Sequence, residues 1–236
     1  RWCGRPAGDW ACPACGGRRM RAAVTGSART AEELGRAFPG VAVRTSGGER
    51  VLAEVGARAA LVVATPGAEP VADGGYGAAL LLDGWALLSR ADLRAGEETL
   101  RRWMNAAALV RPDGTVVVGA DAAVRSVQSM VRWDPAGAAA RELAERAELQ
   151  FPPVSRMASL TGPAQAVEEL LAALELPEQA EVIGPVPVGD QAQRMLLRVP
   201  RRLGAELAIA LHRAAAARSA RKAPAPVKVV LDPLEL

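Results

Sequence analysis

The run Phe151-Pro152-Pro153 limits the folding of this chain more than any other stretch. Two consecutive prolines remove two backbone donors and fix φ near −65°. The residue before each proline is pushed out of the helical region. Neither a helix interior nor a central strand passes through such a run. The chain is thereby split into a longer part and a shorter part, and we place the domain boundary at this break.

The shorter part has its own order. Arg156 to Leu160 reads as a strand, Ala164 to Leu174 as a helix and Glu181 to Ile183 as a strand. Gly184-Pro185-Val186-Pro187 reads as a turn. Gln193 to Val199 reads as a strand, Arg201 to Arg218 as a helix and Val227 to Leu231 as a final strand. This β-α-β-β-α-β sequence is the split βαβ, or ferredoxin-like, arrangement. Such modules bind nucleic acids, metals or small molecules, so the fold alone does not decide function.

The longer part alternates helices with short apolar strands, which predicts an α/β layer with a mainly parallel sheet. Arg18 to Val24 reads as a basic strand. Thr30-Ala31-Glu32-Glu33 reads as a capping box, its hydroxyl and carboxylate meeting free helix amides. That helix ends near Phe38-Pro39-Gly40. Val41 to Arg44 and Ala59 to Thr65 read as strands, Val51 to Val55 as a short helix. Asp73-Gly74-Gly75-Tyr76-Gly77 reads as a plain loop, because it lacks the order and the Lys of a phosphate-binding loop. Ala79 to Leu82 is a strand, followed by a helix from about Leu93 to Leu109. Pro112-Asp113-Gly114 reads as a turn before a strand, Thr115 to Val118. Ala122 to Val131 reads as helical. Asp134-Pro135 starts the helix that runs to about Leu149, with Asp as cap and Pro at the first position.

A chain of 236 residues, half of them apolar, can bury a core. With two Phe and one Tyr, that core must be built largely from Ala, Val and Leu. The net charge of +3 permits a polyanionic partner without demanding one. The cations are nearly all Arg, since Lys222 and Lys228 are the two lysines. Arg suits bidentate phosphate contacts, although a GC-rich genome enriches the same residue. No apolar run reaches the roughly 18–20 residues of a membrane span, and no secretory signal opens the chain. It begins at Arg1 rather than Met, so we expect a piece of a longer protein.

Catalytic sets are scarce. One histidine cannot build a metal or acid–base centre, and His212 sits in an Ala-rich helical pattern where a structural or solvent-facing role is expected. Glu97 and Glu98 point about 100° apart on a helix and do not form an acid–base pair. Asp83 is better placed, at a strand's carboxyl end, where ligands sit in doubly wound sheets.

Cys12-Pro13-Ala14-Cys15-Gly16-Gly17 has the form of a zinc knuckle, two thiolates across a tight turn. Cys3-Gly4 resembles the second half of another. Cys3, Cys12 and Cys15 are therefore candidate zinc ligands. Zinc takes four, so residues outside the segment must complete the site, or the cysteines are ordinary thiols. A structural zinc of this kind stabilises local folding by about 10–16 kcal/mol and does no chemistry.

Arginines form the other candidate site. Arg194 and Arg198 share one face of a strand, Arg201 and Arg202 start the next helix, and Arg221 and Lys222 lie at its end. If the strand face and helix end converge, they make a basic surface for phosphate contacts. The alternative is that the C-terminal cations complement the helix dipole.

Taken in order, these segments resemble the C-terminal part of the PriA family of primosomal replication-restart helicases. Cys3-Gly4 and Cys12-Pro13-Ala14-Cys15-Gly16-Gly17 resemble the end of its cysteine-rich zinc region. Leu81-Leu82-Asp83 and Ala91-Asp92-Leu93-Arg94-Ala95-Gly96-Glu97 resemble its LLDxD…ADFRAxER run. Glu142-Leu143-Ala144-Glu145-Arg146 before Phe151-Pro152-Pro153 resembles its EL…R…PP joint. Ile183-Gly184-Pro185-Val186-Pro187 and Val229-Val230-Leu231-Asp232-Pro233-Leu234 complete the match.

The resemblance implies three regions: residues 1–17, a remnant of a two-zinc insertion; 18–150, a RecA-like second helicase lobe; and 151–236, a ferredoxin-like domain for DNA or partners. It implies a bacterial cytoplasmic, nucleoid-associated protein that recognises abandoned replication forks and promotes primosome assembly. Its implied partners are forked or single-stranded DNA, the single-stranded-DNA-binding protein and other primosome proteins. Its implied cofactors are structural zinc, two per full-length subunit, and ATP for 3′-to-5′ unwinding. This chain departs from the family where the motor chemistry lies. Ala64-Thr65-Pro66-Gly67-Ala68-Glu69-Pro70 stands where the family has a GTQMxxKG-like motif. Asn105 to Val110, then Arg111-Pro112, stand where it has QVAGRAGR, and Trp85 replaces the second aspartate of LLDxD. Arginines that sense phosphate contribute about 10³–10⁵ in rate, and Ala108 and Leu109 cannot supply that. We therefore expect a degenerate helicase lobe on a DNA-binding protein. The alternatives are an active helicase whose sensing arginines have moved to Arg101, Arg102 or Arg111, and a zinc-ribbon RNA- or ribosome-binding factor.

Overall fold

A computed structural model describes residues 10–18, 26–189 and 191–234. The chain forms two compact units, Arg1–Ala138 and Ala139–Leu236. The expected strand after Arg18 and the candidate ligand Cys3 lie outside the described residues.

The first unit is α1 (Ser27–Ala37), β1 (Ala42–Ser46), β2 (Glu54–Val55), β3 (Ala60–Ala64), β4 (Val71–Ala72), β5 (Tyr76–Leu81), α2 (Gly84–Leu88), α3 (Ala95–Ala107), β6 (Val110–Val118) and α4 (Arg125–Val131). Its strands pair in parallel, as alternating helices and strands predict, β1 with β3, β2 with β4 and β5 with β6. Among the described residues these are three separate two-stranded sheets rather than one layer. The core packs α3 and α4 onto β5 and β6, with Leu100, Trp103, Val127 and Met130 at its centre.

Three local expectations fail here for physical reasons. The Thr30 capping box does not form, because α1 begins three residues earlier behind Gly26. Thr30 lies inside the helix with its hydroxyl turned to the Gly26 carbonyl at 3.4 Å, and Glu33 pairs with Arg29 at 2.9 Å. The segment expected as a helix over Val51 to Val55 is extended and contributes β2. The polar turn Pro112-Asp113-Gly114 is absorbed into β6 as a bulge, since Val110 pairs with Tyr76 and Thr115 with Ala78. Residues 111–114 thus lie opposite Gly77 alone. Helix α2 has no counterpart in the sequence reading, because it lies in the apolar run after Asp83.

Asp134-Pro135 behaves as expected. The Asp134 carboxylate accepts from the Gly137 amide at 2.7 Å, which caps α5 (Pro135–Glu148). The division between the units falls within α5, and Phe151-Pro152-Pro153 lies inside the second unit.

The second unit continues as β7 (Ser155–Gly162), α6 (Ala164–Ala172), β8 (Glu181–Val188), β9 (Ala192–Pro200), a 3-10 turn (Arg201–Leu203), α7 (Gly204–Ala220) and β10 (Lys228–Leu231). Its four strands stand in the order β10-β7-β9-β8, every neighbour antiparallel. That is the split βαβ arrangement the pattern predicts. Gly184-Pro185-Val186-Pro187 is not a turn. It runs inside β8 as an irregularity where the register shifts between Ile183 and Val186, on an edge strand that tolerates proline. The core is aliphatic throughout, with Leu160, Val167, Leu197, Val199 and Leu207 fully buried.

Candidate nucleic-acid interface

Strand parity sorts the candidate arginines. Met195, Leu197 and Val199 of β9 enter the core with α6 and α7. Arg194, Leu196 and Arg198 therefore lie on the opposite face of the sheet. Directly paired residues on adjacent strands share a face, so that face is built of transverse rows. At one end stand Lys228, Thr161, Arg194 and Val186. The middle row is Val230, Ser159, Leu196 and Ile183, and at the far end Met157, Arg198 and Glu181 pair. Ser159, Leu196 and Met157 are buried, at 5%, 9% and 1% exposure. Lys228 is exposed and Arg194 half-buried.

The six candidate residues do not gather on one surface. Arg194 and Arg198 are separated by roughly 13 Å along the strand. Because α7 runs back against β9, its start belongs with the Arg198 end of the sheet and its end with the Arg194 end. Arg201 and Arg202 are thus held apart from Arg221 and Lys222 by roughly 25 Å of helix. The candidates fall into two groups, Arg198, Arg201 and Arg202 at one end of the sheet and Arg194, Arg221 and Lys222 at the other.

The first group is engaged internally. Arg198 donates Nε to Glu181 at 3.2 Å and Nη1 to the Leu149 carbonyl at 3.0 Å, and its Nη2 completes the ion pair with Glu181. Arg201 donates to the Pro153 carbonyl at 3.3 Å and Arg202 to Gln179 at 2.6 Å. In the second group, Arg221 reaches back to the Ala217 carbonyl at 3.3 Å, which serves the helix's terminal carbonyls. Lys222 follows, exposed, with φ of +51°. Beside them Arg218 clips Glu169 of α6 at 2.9 Å and the Ala225 carbonyl at 2.8 Å. The hydrogen bond from Arg218 lowers the Glu169 carboxyl below its usual range. Arg194 differs from all of these, because its Nε is buried and has no hydrogen-bond partner among the described residues. Lys228 and Thr161, which share its row, were not apparent as site residues. Counting strand parity back from Val229 and Val230 could have found Lys228, whereas Thr161 needs the register.

Cys12 and Cys15 sit on a tight turn closed by Gly16 N–H to the Cys12 carbonyl at 2.8 Å and Cys12 N–H to the Gly17 carbonyl at 2.9 Å. Gly16 has φ of +67°, a conformation that needs glycine. The amides of Ala14 and Cys15 point at the Cys12 sulfur and lower its thiol from the ordinary value. This donor geometry fits half of a thiolate metal site. Among the described residues no group of three or more His, Cys, Asp or Glu side chains could complete it.

In the first unit, Asp83 follows the carboxyl end of β5 with φ of +53°, in the left-handed region. Gly84 after it is buried, and a methyl group there would meet Trp103 at 2.8 Å. The loop after β3 is held at alternate carbonyls: Pro66 by Arg102 at 2.6 Å, Ala68 by Ser46 at 2.6 Å and Pro70 by Tyr76 at 2.7 Å. Asn105 to Val110 form the end of α3 and the turn into β6, where the Leu109 carbonyl accepts from Tyr76 N–H at 3.0 Å. No ionisable side chain stands on that segment. Arg101 and Arg102 both bind Glu98, at 2.7 and 2.6 Å, and Arg111 pairs with Asp113 at 3.0 Å. His212 is exposed on α7. No helix among the described residues is long and apolar enough to cross a membrane.

Comparison with known proteins covers most of the second unit and extends beyond it. The family described as Primosomal protein N C-terminal domain matches residues 147–234. A Mycobacterium leprae protein named "Probable replication restart protein PriA" is 51% identical over 250 residues, covering all of this chain and 38% of its own length. Proteins of the same name from Mycobacterium tuberculosis and Mycobacterium bovis are 52% identical over 258 residues, covering all of this chain and 39% of theirs. The chain therefore spans well under half the length of these relatives. It belongs to the PriA family of replication restart proteins and corresponds to a C-terminal part of its longer members.

Proposed function

We propose that this chain is the DNA-binding, non-motor part of a replication-restart protein, which recognises stalled or abandoned forks and promotes primosome assembly and loading of the replicative helicase. The observation that carries the proposal is similarity along the whole of this chain to a part of proteins named for replication restart, joined to a basic end on the C-terminal sheet. The parallel strand pairs and helices of residues 18–150 are read as a degenerate RecA-like lobe kept as a scaffold. Cys12 and Cys15, with Cys3 and ligands beyond this chain, would hold structural zinc, two ions in the complete protein. Zinc there fixes the backbone and supplies no open coordination position. ATP is not hydrolysed, because the stretch Asn105–Val110 offers no cation to a transferred phosphoryl group and Arg101, Arg102 and Arg111 are already paired within the lobe.

The partners in this reading are forked or single-stranded DNA, the single-stranded-DNA-binding protein and other primosome proteins, in the bacterial cytoplasm at the nucleoid. Phosphate contacts dominate the DNA interface, since few aromatics are available for base stacking. Fluorescence anisotropy of this chain with forked DNA and with structured RNA, across a salt series, tests the proposal. Preference for the fork with a steep loss of affinity as salt rises supports it. Preference for RNA, or a flat salt response, overturns it.

A further inference from the structure

The row Lys228–Thr161–Arg194 carries a feature that neither the fold nor the family match explains. Arg194 Nε is shielded from solvent and has no hydrogen-bond partner among the described residues. A buried donor without an acceptor is destabilising, and native proteins rarely keep one without a reason. Its neighbours are suited to one. Thr161 lies directly opposite on β7, and Lys228 lies opposite Thr161 on β10. Three adjacent strands place the two cations roughly 10 Å apart with a hydroxyl between them. The Lys228 side of the row is open to solvent, whereas the rows beyond it are closed over at Ser159, Leu196 and Met157. Arg221 and Lys222 stand at the same end of the sheet, in the turn that leads into β10.

We propose that Arg194, Thr161 and Lys228 form an oxyanion site that seats a nucleic-acid phosphate group. One phosphate oxygen displaces the groups that shield Arg194 Nε and accepts from it, the Thr161 hydroxyl donates to the same phosphate, and the Lys228 ammonium balances its charge from the solvent side. Guanidinium and ammonium only donate and the hydroxyl can turn its proton to the same group, so the three form a donor set for tetrahedral oxyanions. The site rests on the DNA-binding reading above and narrows it, assigning the contact to this end of the sheet and away from Arg198, Arg201 and Arg202.

The test follows the Arg194 Nε–H resonance of this chain by nitrogen-15 NMR during two titrations, one with inorganic pyrophosphate and one with forked DNA. A shift in both titrations supports the site and its DNA assignment. A shift with pyrophosphate alone keeps the anion site and overturns its assignment to nucleic acid. DNA binding that leaves the resonance unmoved overturns the site while the DNA-binding reading stands, and a failure to bind forked DNA at all overturns both. Arg194→Gln and Lys228→Gln, tested singly and together, provide a second readout. Each is expected to lower the slope of log affinity against log salt by about 1, and Arg202→Gln at the other end is expected to leave it unchanged. Lys228 is exposed, so its variant reports even if Arg194→Gln unfolds. An unchanged slope in a folded Lys228→Gln protein removes that residue from the site.

Discussion

Arg198 and Glu181 face each other across β9 and β8, and the arginine that grips this carboxylate also binds the Leu149 carbonyl at 3.0 Å. One side chain thus joins the edge strand to the segment that enters the C-terminal sheet. Arg146, 7% exposed, adds a bond to the Pro152 carbonyl at 3.3 Å, Arg201 reaches Pro153, and the Ser155 hydroxyl holds the Gln150 carbonyl at 2.7 Å. The backbone around the double proline is short of donors, and side chains supply what it lacks.

Arg198→Gln leaves the Leu149 carbonyl and Glu181 without their partner. Glu181 is mostly exposed, so the ion pair itself contributes little, and the lost backbone bonds dominate. We predict destabilisation of about 1–3 kcal/mol in urea unfolding and new proteolytic cleavage after Leu149. Fork affinity should stay within about twofold, which separates a structural arginine from a phosphate contact. Loss of affinity without loss of stability would reverse the assignment.

Gly84→Ala sets two effects against each other. Helix propensity favours alanine by less than about 1 kcal/mol at Gly84, the first residue of α2. The added methyl would meet Trp103 at 2.8 Å and Ala120 at 3.0 Å, and overpacking costs about 1–3 kcal/mol. The clash involves a 3% exposed indole in the core, so we predict a lower melting temperature. A higher one would show that α2 moves freely away from α3.

Glu98 supplies a pH prediction. Hydrogen bonds from Arg101 and then Arg102 lower its carboxyl from the ordinary 4.5 to about 2. The unfolded chain binds this proton first as pH falls, so the contribution is complete above about 4.5 and lost as pH drops toward 2. Glu98→Gln should therefore lower the melting temperature at pH 7, and the gap from the wild type should narrow between those limits. Solvent reaches the group, so the effect is small. A gap that does not change with pH would locate the effect in packing instead.

Leu207→Ala tests the aliphatic core of the second unit. Leu207 is fully buried against both strands and helices of that cluster, and truncation there costs about 2–5 kcal/mol. Chemical unfolding should show that loss with an unchanged m-value, and a loss below about 1 kcal/mol would mean the site collapses around the gap.

The split βαβ order was legible because its strands and helices carry separate periods, and Asp134-Pro135 was legible because capping is local. Gly184-Pro185-Val186-Pro187 and Pro112-Asp113-Gly114 were misread for one reason. Turn-forming residues also build bulges, and only the partner strand decides between the two. The candidate site divided along the same line. The cysteine turn is a local motif. The engagement of Arg198 depends on Glu181, which is 17 positions away, and the grouping of Arg194 with Lys228 depends on register across three strands. Neither can be read from spacing along the chain.

ATP turnover by the complete protein, measured with and without forked DNA, tests the central claim that this lobe keeps a motor's framework without its chemistry. The account predicts no DNA-stimulated hydrolysis, and fork binding unchanged by ATP. DNA-stimulated turnover that disappears on replacing Arg101, Arg102 or Arg111 would contradict it and make this chain part of a working motor.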